Sequence, residues 1–362
     1  MSSIAPHQES ADVTEPTGPP KRAALSQVVE RLWKSCRHLI PVIALLVTII
    51  VIFAATNPYF LTTNNLTILL TSNTALWVIA IGMTAVMISG AVDLSLGAIV
   101  AFLAILFAKL IEAGTPGGVA VAVTVVAGAV IGGAVNGLLI GRLKLSFLLV
   151  TMASLTAFTG FVNLWSDTKS ISVSSPVTES IAFGSVAGVN TSIVIMAAVL
   201  IVALYVQTRT YFGRDVYAVG GNPVAARLAG ISATRTTVAV FAISGAAAAA
   251  AAIVGIGRSS AASPTVDNAL PLQAIACVLL GGASIAGGSG GVGGTILGVL
   301  FLSTLGNGLS LSGISSHWQG VVTGVILVGA VLLNRFSEGG LAQLRGRRRG
   351  RPGAVANPGA QS

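Results

Sequence analysis

Long apolar runs, separated by short polar segments, dominate the chain. Hydrophobic residues make up 54% of the sequence and charged residues only 9%, whereas a soluble domain has about 25% charged residues. A chain with so few charges cannot cover a core with a polar, water-facing surface. A helix that crosses a hydrocarbon layer about 30 Å thick needs about 20 mostly apolar residues. The sequence therefore predicts an all-α polytopic membrane protein.

Ten apolar runs are long enough to span a bilayer. With both termini in the cytoplasm, 17 of the 20 Lys and Arg residues fall on the cytoplasmic side, and only Lys109, Lys169 and Arg258 lie outside. This split matches the excess of Lys and Arg in short cytoplasmic loops, and nine spans would put one basic terminus on the wrong side. We predict about ten transmembrane helices, both termini cytoplasmic, with spans at 39–55, 66–90, 94–111, 118–140, 146–165, 191–207, 236–257, 270–287, 291–311 and 317–334.

The spans divide the chain into three regions. Residues 1–37 are rich in Ser, Pro, Thr and charge, which is typical of a disordered tail; a cleavable signal peptide is not expected, because the first apolar run begins only near Leu39. Residues 38–335 form the membrane domain, and 336–362 form a basic cytoplasmic tail. The basic stretch 344–352 directly follows the last span, so we interpret it as an anchor to anionic lipid. The bilayer is an expected partner and nucleic acid is not.

A polar loop at residues 209–235 interrupts the apolar pattern. Within it, Asn222 suits a helix N-cap, Pro223 the first helical position and Gly230 the left-handed residue that follows a helix. A helix of about two turns is not stable alone in water, so something must hold it. Small side chains would let this helix lie in a groove of another protein; they surround Leu228 and are Ala225, Ala226 and Ala229.

Three stretches resemble the motifs of one family. They are SGAVDLSLGAIVAF at residues 89–102, YAVGGNPVAARLAGI at 217–231 and LLGGASIAGGSGGVGGTILG at 279–298. The first is similar to a GGxDLSxG element, with Ala91 and Val92 in place of the second Gly and an aliphatic residue. The third is similar to a GGxSxxGGxGxxxGxxxG element. In this order the chain resembles the permease subunits of bacterial sugar ABC importers of the ribose type.

The resemblance implies a type II ABC importer-like half-channel that pairs with a second copy, as a homodimer, in the bacterial inner membrane. A periplasmic sugar-binding protein would deliver a ribose-like sugar or related polyol. A separate cytoplasmic ABC ATPase subunit would bind ATP and Mg, so this chain would be no enzyme and would hold no cofactor. The loop would dock on that ATPase through the expected coupling residues, which are Arg214, Gly221, Asn222, Pro223, Ala225, Ala226, Arg227, Leu228 and Gly230.

The sequence offers no catalytic, nucleotide or metal site of its own. Gly288, Gly290 and Gly293 form a GxGxxG pattern, but no strand precedes it and no acidic residue follows about 20 residues later, as a dinucleotide site requires. We interpret this glycine cluster as a helix break with close packing. Cys36 and Cys277 are too isolated to form a metal site or a disulfide framework.

A path for a neutral sugar needs amides, hydroxyls and aromatic rings, and several such residues lie within the predicted spans. Each has the alternative role of an interhelical hydrogen bond. For Asp93, the alternative is an N-cap that accepts the amide of Ser95 or Leu96 in a helix beginning at Leu94–Ser95. The candidates for the translocation path are Asn73, Trp77, Asp93, Ser95, Asn136, Gln273, Ser284 and Asn307, with Thr151 and Asn163 as further polar side chains in the spans.

Two other functions stay open at this stage. An ABC permease for a nucleoside or a branched-chain amino acid would share the general plan, although the lack of a paired acid and base in the spans favours an uncharged solute. An ion-coupled secondary carrier would need ionisable groups within the membrane, and Asp93 is the one carboxylate expected at that depth. Which sugar or polyol is carried does not follow from the sequence.

Overall fold

The computed structural model describes residues 39–315, 317, 318, 320–326, 328 and 329. The chain divides into two compact units, residues 1–40 and 41–362, and of the first unit only residues 39 and 40 are described. The predicted N-terminal tail, the basic C-terminal tail and part of the tenth predicted span therefore lie outside the described residues.

Helices make up most of the described chain. In order they are α1 (Ile40–Thr56), α2 (Thr63–Ser72), α3 (Thr74–Ile88), α4 (Leu96–Glu112), α5 (Gly117–Gly141), α6 (Phe147–Ser166), α7 (Pro176–Phe183), α8 (Thr191–Arg209), α9 (Tyr211–Gly221), α10 (Pro223–Leu228), α11 (Ala233–Ser259), α12 (Ala269–Leu280) and α13 (Val292–Leu311). A π-helical segment, Ile131–Gly137, lies within α5. Two short antiparallel pairs complete the order: β1 (Ile171–Ser172) with β4 (Ala261–Ala262), and β2 (Ser185–Val186) with β3 (Val189–Asn190).

Five helices of the described part are long and apolar enough to cross a bilayer: α5, α6, α8, α11 and α13. The bent pair α2–α3 makes a sixth if it counts as one span, and α1 and α12 are apolar but shorter. The chain is thus a mostly helical, multi-pass membrane protein. Ten spans with both termini in the cytoplasm stay a prediction.

The second predicted span, 66–90, is not one helix but two, bent by 49° at Asn73. The bend leaves helical carbonyls without intrahelical donors, and such groups need other partners. Asn73 Nδ2 donates to Leu69 O at 2.8 Å, and Arg258 Nη1 donates to Ser72 O at 2.6 Å. The bend was not predicted, because no Gly or Pro lies near Asn73.

Two helices, α3 and α11, form the centre of the packing. Nearly every residue of α3 is buried, and α11 packs against α3, α4 and α5. The approach of α11 to α5 depends on small residues, since a Cβ added at Gly245 would overlap the Gly128 carbonyl. Such close contacts are how helices associate where lipid offers no hydrophobic drive.

The eighth predicted span, 270–287, ends earlier than expected. Its helix α12 stops at Leu280, because Gly281 leaves the helix and Gly282 takes a left-handed φ of +85°. The stretch 281–291 then runs without helix until α13 begins at Val292. The interpretation of the glycine cluster as a helix break is confirmed.

Candidate functional site

The short helix α10 has the caps that the sequence predicts. Asn222 Oδ1 accepts hydrogen bonds from Val224 N and Ala225 N, both at 3.0 Å. Pro223 is the first helical residue, and Gly230 ends the turn with a φ of +81°. The predicted N-cap, first position and terminating glycine are therefore all confirmed.

The outer face of α10 presents two large apolar side chains. Leu228 is 86% exposed and Val224 is 67% exposed, and their spacing of four residues puts them on the same face of the helix. Ala226 is buried at 4% exposure and packs back onto the protein. The helix is thus anchored by its small residue, while Leu228 and Val224 are free to contact another molecule.

A second helix in the polar loop, α9, was not predicted. The side chain of Thr210 caps it by accepting from Gly213 N at 3.1 Å, and Val216 and Val219 are buried beneath it. Its three glycines lower helix propensity and hid it from the composition-based analysis. The spacing of its apolar residues, Phe212, Val216 and Val219, could have revealed it.

Arg214, one of the expected coupling residues, lies on the exposed side of α9. Its guanidinium carbon sits 4.3 Å from the centroid of the Tyr211 ring, a distance typical of a cation–π contact. Gly221 ends the same helix. The expected coupling residues therefore fall on two successive helices, α9 and α10, rather than on one.

The three family-like stretches meet in a backbone contact that we call the glycine junction: Ile88, Gly90, Gly220, Gly287 and Gly288. Gly288 N donates to Ile88 O at 2.8 Å. A Cβ added at Gly220 would overlap that same carbonyl oxygen, and one added at Gly287 would lie 2.7 Å from Gly90 Cα. The end of α3, the end of α9 and the 281–291 loop are therefore in direct contact, which only residues without side chains permit.

Beside the junction, Gln207 and Tyr217 join α8 and α9 to the start of α13. Tyr217 Oη donates to Gly290 O at 2.7 Å and accepts from Gln207 Nε2. Gln207 Oε1 accepts from Val292 N at 2.9 Å. Burial raises the pKa of the Tyr217 phenol above its usual 10.0, so the hydroxyl keeps the proton that it donates. We call this group the Gln207–Tyr217 link; the sequence analysis did not single out either residue.

Asp93, Ser95 and Asn136 are brought together in a closed polar network. Asp93 Oδ1 accepts from the amide and the hydroxyl of Ser95. Asn136 Nδ2 donates to Ser95 Oγ at 2.9 Å, and Asn136 Oδ1 accepts from Ser154 Oγ at 2.5 Å. Ser244 Oγ lies 3.5 Å from Asp93 Oδ2. The network links α4, α5, α6 and α11.

Burial favours the structural interpretation of Asp93 in this state. Asp93, Ser95 and Asn136 are all fully buried, so they contact neighbouring side chains and not open space. The amide of Ser95 binds Asp93 at 3.0 Å as the cap interpretation predicts, although α4 begins at Leu96, later than the expected Leu94–Ser95. A place for these residues on the translocation path stays a prediction.

Two other predicted path residues, Asn73 and Gln273, line one cavity of about 70 Å³ at the α2–α3 bend. Gln273 has no hydrogen-bond partner among the described residues, and Asn73 uses only its Nδ2 atom. The remaining wall is mostly leucine: Leu76, Leu302, Leu305 and Leu309. The cavity thus combines an apolar wall with amide groups that can bind a further polar group.

Close to Asn73 in sequence, Trp77 carries a buried donor without an acceptor. Its side chain is 3% exposed, and Nε1 has no partner among the described residues. The same holds for Ser303 Oγ on α13. Buried polar groups without partners are rare in native structures, so Trp77 Nε1 and Ser303 Oγ can each make a further hydrogen bond.

The last two predicted path residues have partners within the protein. Asn307 and Asn65 exchange two amide hydrogen bonds, each 2.9 Å long, between α13 and α2. Ser284 lies in the 281–291 loop, where its Oγ accepts from Ala286 N at 3.1 Å. For Asn307, the structure contains the interhelical hydrogen bond that was the alternative role.

The amino-acid sequence of this chain is similar to those of known permease proteins. A family model described as "Branched-chain amino acid transport system / permease component" matches residues 65–331. The ribose import permease protein of Bacillus subtilis (strain 168) is 36% identical over 295 residues, covering 79% of this chain and 89% of that protein. The ribose import permease protein of Escherichia coli (strain K12) is 36% identical over 302 residues, covering 82% and 93%. The D-allose transport system permease protein of the same strain is 32% identical over 295 residues, covering 81% and 90%. No solved structure matches the chain.

Proposed function

We propose a function for this chain that starts from its family: the chain belongs to the permease family described as "Branched-chain amino acid transport system / permease component". The proposed function is that of the membrane-spanning permease of an ABC importer for a monosaccharide. The solute is a ribose-like sugar or a related polyol, which crosses the bacterial inner membrane from periplasm to cytoplasm. A periplasmic sugar-binding protein delivers it. A second copy of the permease completes the channel, and a separate ATPase subunit binds ATP and Mg and supplies the free energy.

The polar groups within the membrane domain support a sugar over an amino acid. The family description names branched-chain amino acids, while relatives that are 36% and 32% identical are named for ribose and for allose, respectively. An amino acid zwitterion would need groups of both charges, because an unpaired charge in a low-dielectric site is costly. The cavity at the α2–α3 bend offers the amides of Asn73 and Gln273, which suit hydroxyl groups.

The exposed pair on α10 is the observation that carries the coupling role. A short helix with Leu228 86% exposed and Val224 67% exposed is an apolar contact site that water does not stabilise. We assign it to the ATPase subunit. ATP binding would then favour one arrangement of the permease through differential contacts at α10, which is what a population shift requires.

We propose that the small cavity at the α2–α3 bend belongs to a closed arrangement of the path. A space of about 70 Å³ has room for a few water molecules but not for a sugar ring. In this proposal Asn73 and Gln273 contact the solute when the surrounding helices separate. Asp93 has a structural role, because its partners Ser95 and Ser244 already occupy both carboxylate oxygens.

The experiment that tests the assembly is purification from the native membrane in mild detergent, with the co-purifying chains identified and ATP hydrolysis measured. We expect an ABC ATPase subunit to co-purify and the complex to hydrolyse ATP. A sugar-binding protein that stimulates this hydrolysis when loaded with its sugar would support the solute class. If the chain purifies alone, or if only an amino-acid-loaded binding protein stimulates hydrolysis, the proposal is wrong in its coupling or in its solute.

A further inference from the structure

We propose that Gln207 and Tyr217 are positioning residues that transmit movement of α9 and α10 to the beginning of α13. This inference rests on the proposed function, because it supposes that an ATPase moves α10. It goes further by assigning the transmission to two side chains and the three hydrogen bonds that they make. Neither side chain is placed on the solute or on the ATPase.

The first step is that Gln207 caps α13 from outside that helix. The earliest amides of a helix have no acceptor within it, and Val292 N is the first of them in α13. Gln207 Oε1 accepts from Val292 N at 2.9 Å while Gln207 Nε2 donates to Tyr217 Oη. One amide group therefore joins α8 and α9 to the start of α13.

The second step is that Tyr217 fixes Gly290, which lies two residues before the first residue of that helix. Its hydroxyl donates to Gly290 O at 2.7 Å, across 73 residues of sequence. The 281–291 loop has no helix or strand of its own, so outside contacts decide its position. The link and the glycine junction, where Gly288 N binds Ile88 O at 2.8 Å, hold this loop at two points.

The third step is that a single residue connects α9 and α10, so the two helices cannot move far apart. Asn222 alone separates the end of α9 at Gly221 from the start of α10 at Pro223. Asn222 is also the side-chain cap of α10, with both bonds 3.0 Å long. A force applied to Leu228 therefore reaches Tyr217 through a short helical segment.

The fourth step is that α13 connects the link to the candidate solute cavity. This helix has 20 residues and is therefore about 30 Å long. Its first residue, Val292, is bound by Gln207, and its second half supplies Leu302, Leu305 and Leu309 to the cavity that holds Asn73 and Gln273. A shift or rotation at Val292 would change the wall of that cavity.

An apolar cavity beside the link gives it room to move. It measures about 460 Å³ and lies between α3, α8, α9 and α11. Its wall includes Gln207, Tyr217 and Val292 together with Phe212 and Val216. Protein interiors are normally close-packed and resist small displacements, so this cavity leaves one side of α9 without tight helix packing that would oppose a shift.

The test measures ATP hydrolysed per sugar imported in proteoliposomes that contain the permease, its ATPase subunit and its binding protein. Two variants remove the hydrogen bonds but keep the shape: Tyr217→Phe and Gln207→Met. We expect each to retain the ATPase subunit and to raise the ATP consumed per sugar by at least about fivefold, the factor that corresponds to one lost hydrogen bond. Tyr205→Phe, at a tyrosine of α8 that is 62% exposed, is the matched control and should leave the ratio unchanged.

A double variant separates transmission from general damage. Because Gln207 and Tyr217 act on one link, the combined variant should be no worse than either single variant, whereas independent sites would add. Unchanged ratios, additive losses, or an equal fall of hydrolysis and import would each overturn the inference. Failure of the unmodified permease to bind any ATPase would instead overturn the proposed function, so the two failures are distinguishable.

Discussion

At the scale of single residues, Leu228 is the side chain that we propose to contact the ATPase most directly. It is 86% exposed on a helix that is otherwise fully capped, and burying such a side chain in a partner stabilises the contact by about 1.5–3 kcal/mol. We expect Leu228→Asp to weaken ATPase binding at least tenfold, roughly the cost of losing a central apolar contact. Co-purification and pull-down from membranes measure this.

Charge reversal on the same loop provides a control for that prediction. Arg227→Glu, beside Leu228 on α10, should also weaken ATPase binding, while Arg235→Glu, an exposed residue near the start of α11, should not. If Leu228→Asp and Arg235→Glu retain the ATPase equally well, α10 is not the docking site.

Asn73 and Gln273, the two amide side chains of the cavity at the α2–α3 bend, are proposed to bind the solute. Asn73→Leu and Gln273→Leu should each raise the KM for sugar about three- to tenfold, the range expected for one hydrogen bond, because both side chains line the cavity. ATPase binding should not change. Uptake kinetics check this, with Asn268→Ala as the control at an exposed amide just before α12. Unchanged KM values would place the solute elsewhere.

The variant Asp93→Asn tests whether the chain acts as an ABC permease or as an ion-coupled carrier. Asp93→Asn keeps an oxygen that can accept from the Ser95 amide, as Asp93 does at 3.0 Å, but it can no longer carry a proton. We expect ATP-driven uptake to fall by less than about tenfold, as for a weakened hydrogen bond. Complete loss of uptake with an intact, ATP-hydrolysing complex would mean that Asp93 has a direct role in transport.

At the scale of elements, the glycine junction limits what the loop and helix ends can accept. A Cβ at Gly220 would overlap the Ile88 carbonyl, whereas nothing lies within 4 Å of a Cβ added at Gly255 in α11. Gly220→Ala should therefore destabilise the detergent-solubilised protein by about 1–3 kcal/mol, as overpacking does. Gly255→Ala should be neutral or should stabilise the protein by up to about 1 kcal/mol, because Ala has a higher helix propensity than Gly. Thermal stability by size-exclusion chromatography compares them, and equal stability would contradict the close contact.

The elements also show how far the sequence could predict the fold. Apolar runs predicted the positions of α5, α6, α8, α11 and α13 to within a few residues, because length and hydropathy are local properties. The caps Asn222 and Gly230 were predicted for the same reason. The bend at Asn73 was not, since its stabilising partner Arg258 binds Ser72 O from 186 residues away.

The candidate site residues could likewise be predicted where their interactions are local in sequence, and not where their partners are distant. The α10 residues were predicted because their spacing is local. Gln207 and Tyr217 were missed because their partners Val292 and Gly290 lie 85 and 73 residues further along the chain. The sequence named Asn73 and Gln273 as path residues, but only the packing of α3 and α12 shows that they share a cavity.

At the scale of the whole molecule, three places lie along one proposed route. We propose that the exposed face of α10 binds the ATPase and that the Gln207–Tyr217 link passes its movement to Val292, which Gln207 binds. From Val292, α13 extends to the cavity lined by Asn73 and Gln273. This proposed route suits a membrane permease subunit whose free energy comes from a partner. Such a subunit needs only two arrangements of its helices and a partner that favours one of them.

In the proposed function, ATP hydrolysis by a partner subunit drives a monosaccharide through this permease. The most direct measurement is uptake of radiolabelled ribose by proteoliposomes that hold the native complex and its binding protein. Uptake is measured under two conditions: with ATP on the side of the membrane where the ATPase lies, and with an ion gradient but no ATP. Unlabelled allose, xylose and leucine are added as competitors. We expect uptake that requires ATP and is inhibited by a sugar but not by leucine. Uptake driven by the ion gradient alone, or inhibited only by leucine, would contradict the proposed function.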